Sequence, residues 1–205
     1  MDIWPVIHSE RKALAADLKS CAEAQWSTAS LCSKWSVRDA LAHMSATASM
    51  TPASFLPKLA SNGFRFESLQ ASGIAAQAGA SAADTLARFE AIVNSSGRPP
   101  GPPATMLGEV LVHSEDIRRP LGISHAFPIE AAVQVADFFK NSNLLIGSKR
   151  RIAGLALRAT DAEWSHGSGP EVAGPIHTLV MAMTGRKPVL DDLSGDGVGM
   201  LRERP

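Results

Sequence analysis

Apolar residues recur along the first three quarters of the chain with the spacing of helices. Val6, Leu14 and Leu18 share one face with charges between them, which predicts a helix over 5–24. Pro5 suits its first turn, where a missing N–H costs nothing. A Ser- and Thr-rich loop follows over 25–34, with Trp26, Leu31 and Cys32 as its apolar anchors. Ser36 and Asp39 form a Ser-x-x-Asp capping box, so a second helix starts there and runs through Leu41, His43 and Met44. Trp35 occupies the staple position. Pro52 and Pro57 interrupt a short third helical piece that Asn62-Gly63 stops. Residues 68–83 are small and weakly patterned. Helical spacing returns from Ala82 through Leu86, Phe89, Ile92 and Val93.

The proline-rich run 97–103 must be extended, because proline disfavours helix in the residue before it. Ala104 to Arg119 is helical up to Pro120, and Pro128 opens another helix ending near Gly147. The pattern then changes period. Ile152 to Ala159 alternates as a strand, and 164–172 reads as a second strand broken by a Gly-Ser-Gly turn. An apolar helix over 175–184 stops at Gly185, and the tail 195–204 fits strand or short helix equally. The expected fold is mainly α, with a helical bundle over 1–147 and a small α+β annex over 148–205.

Composition narrows the partners. Lys plus Arg is 20 and Asp plus Glu is 20, a formal net charge of zero. That balance argues against nucleic acid and against an anionic membrane surface. No stretch approaches the ~18 apolar residues of a membrane span, and the first residues lack a signal-peptide layout. The expectation is a soluble, cytoplasmic monomer or homodimer. Cys21 and Cys32 have no ligand-like spacing to each other or to a histidine, so they read as small apolar fillers. Both are expected to be dispensable for activity.

The candidate chemistry lies on the helix 106–117. At about 100° per residue, Met106, Val110, His113 and Ile117 share a face, and Glu109 lies about 40° from His113. Asp116 is on the flank of that face, while Glu115 and Arg119 point toward water. A lone carboxylate on a core-facing stripe suffers heavy desolvation, which a cation beside it relieves. His43, at the border of the apolar stripe on the second helix, is the third candidate ligand. Two histidines and a glutamate leave a fourth position open, the pattern of catalytic zinc. The spacing fits a buried acid–imidazolium pair equally well. Asp116 can orient a ligand, or pair with Arg118 or Arg119. His8 reads as exposed, His125 and His166 as loop or turn residues, and His177 as an annex-helix residue. No nucleophile elbow or phosphate-binding glycine loop is present.

Trp35-Ser36-Val37-Arg38-Asp39-Ala40-Leu41-Ala42-His43 resembles the opening motif of DinB-like metalloenzymes. Gly108-Glu109-Val110-Leu111-Val112-His113-Ser114-Glu115-Asp116-Ile117-Arg118-Arg119-Pro120-Leu121-Gly122 resembles the second motif of the mycothiol-dependent maleylpyruvate isomerase branch. The resemblance implies a DinB-like four-helix bundle with a sterol-carrier-like annex. It implies a divalent metal, zinc in most members, on His43, Glu109 and His113. It also implies mycothiol or a similar thiol as cosubstrate and a small electrophile as substrate. Thiolate addition, bond rotation and elimination then give isomerisation, and retention of the adduct gives S-transfer. The stretch Met183-Thr184-Gly185-Arg186 makes Arg186 the counterpart of the arginine that holds substrate; the alternative is a helix-end charge. Two other classes compete with the enzyme: a non-catalytic metal-binding stress protein, and a carrier of a small apolar ligand.

Overall fold

The structure, a computed structural model, describes residues 2–144 and 146–205. The chain divides into two compact units, Met1–His125 and Ala126–Pro205. The division falls ahead of the boundary at 147 that the composition change marks, and the helix 129–139 packs within the second unit.

In the first unit α1 spans Trp4–Leu18, α2 Val37–Ala48, α3 Pro52–Ser61, α4 Phe66–Ala78, α5 Ala82–Glu90 and α6 Ala104–Arg118. Helix α1 touches α6, α6 touches α2, α2 touches α5 and α5 touches α1, which closes a four-helix ring. Its interior is filled by Ile7, Leu14, Leu41, Met44, Phe89, Val110, Leu111 and Ile117, all fully buried. The expected first helix is shorter than its pattern: it ends at Leu18, and 23–27 form a separate 3-10 turn.

The segment 66–78 is a helix that sequence patterning did not predict. Only Leu69 and Ile74 of it are buried, so its apolar period is faint. It packs on α2 through small residues, and a methyl group added at Gly73 would press on Ala46 at 3.1 Å. Arg38 of α2 secures its end: Nη2 donates to the carbonyls of Ala78 and Gly79, both at 2.9 Å, and Nε to Thr85 Oγ1 at 3.0 Å.

In the second unit α7 (Ile129–Phe139) packs on α9 (Ile176–Met183). The short α8 (Ser148–Arg151) displaces the expected strand start, so β1 spans only Ala156–Ala159. Its inward face is Leu155, Leu157 and Ala159, as the alternation predicts. Strands β2 (Ser165–Gly167) and β3 (Glu171–Gly174) flank it in the order β2-β1-β3, with β1 antiparallel to β2 and parallel to β3. Between β2 and β3, Gly167 and Gly169 have φ of +82° and +127°, where a side chain would collide with the carbonyls of Leu155 and Gly154. The tail resolves as a helix, α10 (Gly197–Glu203).

Candidate metal and thiol site

The capping box starts α2 as its sequence requires. The Ser36 hydroxyl accepts from the Asp39 N–H at 3.1 Å, and Asp39 Oδ2 accepts from the Ser36 N–H at 3.0 Å. His43 lies nearly two turns further along α2. Its ring meets the ring of His113, on α6, edge to face, with centroids 5.1 Å apart. Trp35 forms a wall of this pair. Its ring lies 4.6 Å from that of His43 and 5.8 Å from that of His113.

Burial, and secondarily the neighbouring His113, pull the pKa of His43 down to about 3. The imidazole is therefore neutral at physiological pH, with a lone pair to offer. His113 Nδ1 lies 2.9 Å from Asp116 Oδ2, and the Asp116 side chain is fully buried. With Asp116 ionised, that contact places the proton on Nδ1 and leaves the lone pair on Nε2.

Glu109 sits one turn before His113. Both its carboxylate oxygens are buried, and no hydrogen bond reaches either of them. Burial raises its pKa, partly opposed by Arg11 and His113. Arg11, on α1, is itself wholly buried. Its Nη1 donates to the Ser95 carbonyl at 2.8 Å, and its Nε and Nη2 have no protein acceptor. Burial lowers the Arg11 pKa, with Glu109 acting in the opposite sense. Two buried groups of opposite sign thus attract each other without a hydrogen bond between them.

The sequence-based reading is corrected at Glu115, His8 and Cys32. Glu115 does not face water: its side chain is only 15% exposed, pairs with Arg119 at 3.7 Å, and is raised in pKa by burial. His8 is half-buried against the Ser95 carbonyl; His125 lies in a loop as expected and pairs there with the buried Glu10 at 2.7 Å. Cys32 is more than a filler. Its sulfur, a ring nitrogen of His113 and a carboxylate oxygen of Asp116 lie within 4.8 Å of one another. Among the described residues this is the one trio of donors so closely grouped; the set His43, Glu109 and His113 does not close to that spacing. Nothing in the local sequence around Cys32 signals this, since the partner residues come from a distant helix. Neither cysteine is in a disulfide.

Arg186 belongs to the second unit. It lines a small cleft with Arg151, Gly185, Lys187, Leu190 and Arg204. Its Nη1 donates to the Thr184 carbonyl at 3.1 Å. Burial first, then the charges of Arg186 and Arg150, lower the pKa of Arg151.

A helical bundle with an imidazole pair and a buried carboxylate between its helices, followed by a small α+β unit, is a DinB-like architecture. Residues 7–98 match the family described as the mycothiol maleylpyruvate isomerase N-terminal domain. The matched stretch contains Trp35 to His43 and ends before α6. The fold is similar to the crystal structure of a mycothiol-dependent maleylpyruvate isomerase, with a TM-score of 0.66, 15% identity, and coverage of 94% of this chain and 91% of that one. A histidine-to-alanine mutant of that enzyme gives a TM-score of 0.65 at the same identity and coverage. No curated protein matches the sequence significantly. Among the described residues no helix is long and apolar enough to cross a membrane.

Proposed function

We propose that the chain is a thiol-dependent isomerase or S-transferase that uses mycothiol or a similar thiol and a divalent cation, zinc by donor type, held by His43, Glu109 and His113. The observation that carries this reading is the Glu109 carboxylate, buried without a hydrogen bond one turn from His113. An isolated buried carboxylate is costly, and a cation between it and two neutral imidazoles removes the cost. When bound, the cation supplies Lewis acidity that favours the thiolate form of a thiol at neutral pH.

The chain's own residues set up that chemistry. Asp116 holds the proton of His113 on Nδ1 and so keeps Nε2 available as a donor. His43 stays unprotonated through its burial. Trp35 covers both rings and keeps bulk water from them. Arg11, fixed to the Ser95 carbonyl, offsets part of the Glu109 charge. In the second unit Arg186 is the proposed clamp for a carboxylate of the substrate, since a guanidinium can donate two parallel hydrogen bonds to it. The reading places the enzyme in the cytoplasm, where its low-molecular-weight thiol is kept reduced.

The test is elemental analysis of protein purified without chelator, followed by titration with thiol and assay of cis–trans isomerisation of maleylpyruvate. One equivalent of divalent metal and thiol-dependent turnover are expected. Absence of metal, together with failure to bind added zinc, would overturn the cation. Metal binding without thiol-dependent turnover on any electrophile would leave a metal-binding protein rather than an enzyme.

A further inference from the structure

The loop that carries Cys32 is built to hold it in place. Ala29 and Ser36 form an antiparallel bridge across the loop. Inside it the Ser30 N–H donates to the Trp35 carbonyl at 2.9 Å, and the Trp35 N–H donates to the Cys32 carbonyl at 3.1 Å. Lys34 adopts a left-handed φ of +76° to make that turn. The Leu31 N–H donates to the Asp116 carbonyl at 3.1 Å, tying the loop to α6 next to the Cys32 sulfur. The thiol therefore faces His113 and Asp116 because the backbone puts it there.

We propose that Cys32, Asp116 and Nδ1 of His113 form a second position for a soft divalent cation, alternative to the one on His43 and Glu109. One thiolate, one imidazole and one carboxylate, with a fourth position open, is a donor set suited to zinc or cadmium. Donors on a tetrahedral zinc, with bonds of about 2.0–2.3 Å, are roughly 3.3–3.7 Å apart, so a trio already within 4.8 Å has about an ångström to close. The need for positive charge is local: Asp116 is fully buried and the orphaned Glu109 lies on the same helix.

Binding there breaks the Cys32 S–H bond, forms a sulfur–metal bond and releases that proton to solvent. The proton on His113 Nδ1 leaves and Nε2 carries it instead. A neutral imidazole offers one lone pair, so His113 serves one position or the other and the two exclude each other. Cys32 then acts as the chain's own thiolate for the cation. The inference shares His113 with the proposed function but does not need His43 or Glu109.

The experiment is titration of the full metal-free chain with cadmium in thiol-free buffer, read by the ultraviolet sulfur-to-cadmium charge-transfer band and by bound metal. The expected result is one cadmium per chain with the band present. Cys32→Ser should lose the band, Cys21→Ser should keep it, and Glu109→Gln should keep it with the metal. Cadmium bound to the wild type without the band overturns the proposal. So does a band that survives Cys32→Ser, or one that Cys21→Ser removes. The failure of the proposed function reads differently: the band appears, but Cys32→Ser then binds no cation, because the His43–Glu109 position does not exist.

Discussion

In the helical unit the Glu109 carboxylate and the Nε and Nη2 of Arg11 are buried without a hydrogen bond, whereas in the annex the Arg151 guanidinium is held by three carbonyls. Its Nη1 donates to the carbonyls of Met183 at 2.7 Å and Ile146 at 3.2 Å, and its Nε to the Pro205 carbonyl at 2.8 Å. Arg204 donates in turn to the Arg151 carbonyl. Buried polar groups are normally satisfied, because each orphan costs on the order of 1–3 kcal/mol. Arg151 follows that rule, its guanidinium capping the ends of helices and turns. Glu109 and Arg11 break it together. A group left unsatisfied at a cost to stability is the better guide to ligand binding than a cluster of charge already bonded.

Glu109→Gln tests that contrast most strongly. If the carboxylate is a cation ligand, affinity should fall by more than the about 10–100-fold that loss of an outer partner causes. The metal-free protein should meanwhile become more stable, because the amide carries no charge to desolvate. Metal titration and thermal melts with and without zinc measure both. A variant less stable without metal would show that Glu109 is satisfied in solution and that the comparison is wrong.

Asp116→Asn acts one step further out. The amide can no longer anchor Nδ1–H as a charged acceptor, so the preferred tautomer of His113 is lost. Cation affinity should drop by roughly 10–100-fold while the fold persists. Unchanged affinity would reduce Asp116 to a structural partner of α6.

In the annex the two arginines should part company. Arg151→Ala strips donors from three carbonyls and should destabilise the chain by on the order of 1–3 kcal/mol. Arg186→Lys should leave the melt unchanged but lower turnover about tenfold or more, equivalent to about 1.4 kcal/mol of lost transition-state binding. Full activity of Arg186→Lys would make it a helix-end charge and nothing else.

What was legible in the sequence follows from the range of the contacts. Glu109 and His113 lie on one helix, so the 3.6-residue period alone puts them on one face, and the capping box fixes the start of the helix that brings His43. Helix α4 was not legible, because only Leu69 and Ile74 of it are buried and its close approach to α2 is made at Gly73, which leaves no strong apolar period. Arg11 reads as a solvent charge on a surface helix; its burial is decided by the chain around Ser95. Cys32 is brought to Asp116 by the backbone hydrogen bond of its neighbour Leu31 across distant segments, and no local pattern encodes such a contact.

The smallest expected effect is in acid, and it comes from His43. In the unfolded chain this imidazole takes up a proton as pH falls through about 6.5, the ordinary histidine value. In the folded, metal-free chain it stays neutral down to about 3. The unfolded state therefore binds more protons across that window, and stability falls as pH falls. From pH 7 to pH 6 the loss from this one group is about 0.7 kcal/mol. Glu109 works in the opposite direction at lower pH. Its raised pKa lets the folded chain take a proton first, which restores stability as pH approaches the ordinary carboxylate range. The metal-free Glu109→Gln variant should consequently lose stability more steeply than the wild type as pH falls toward the ordinary carboxylate range, and His43→Gln should flatten the fall between pH 7 and pH 5. Denaturant melts of the chelated proteins at half-unit pH steps measure both slopes. If His43→Gln has the same slope as the wild type, His43 is not held neutral, and the imidazole pair is open to water.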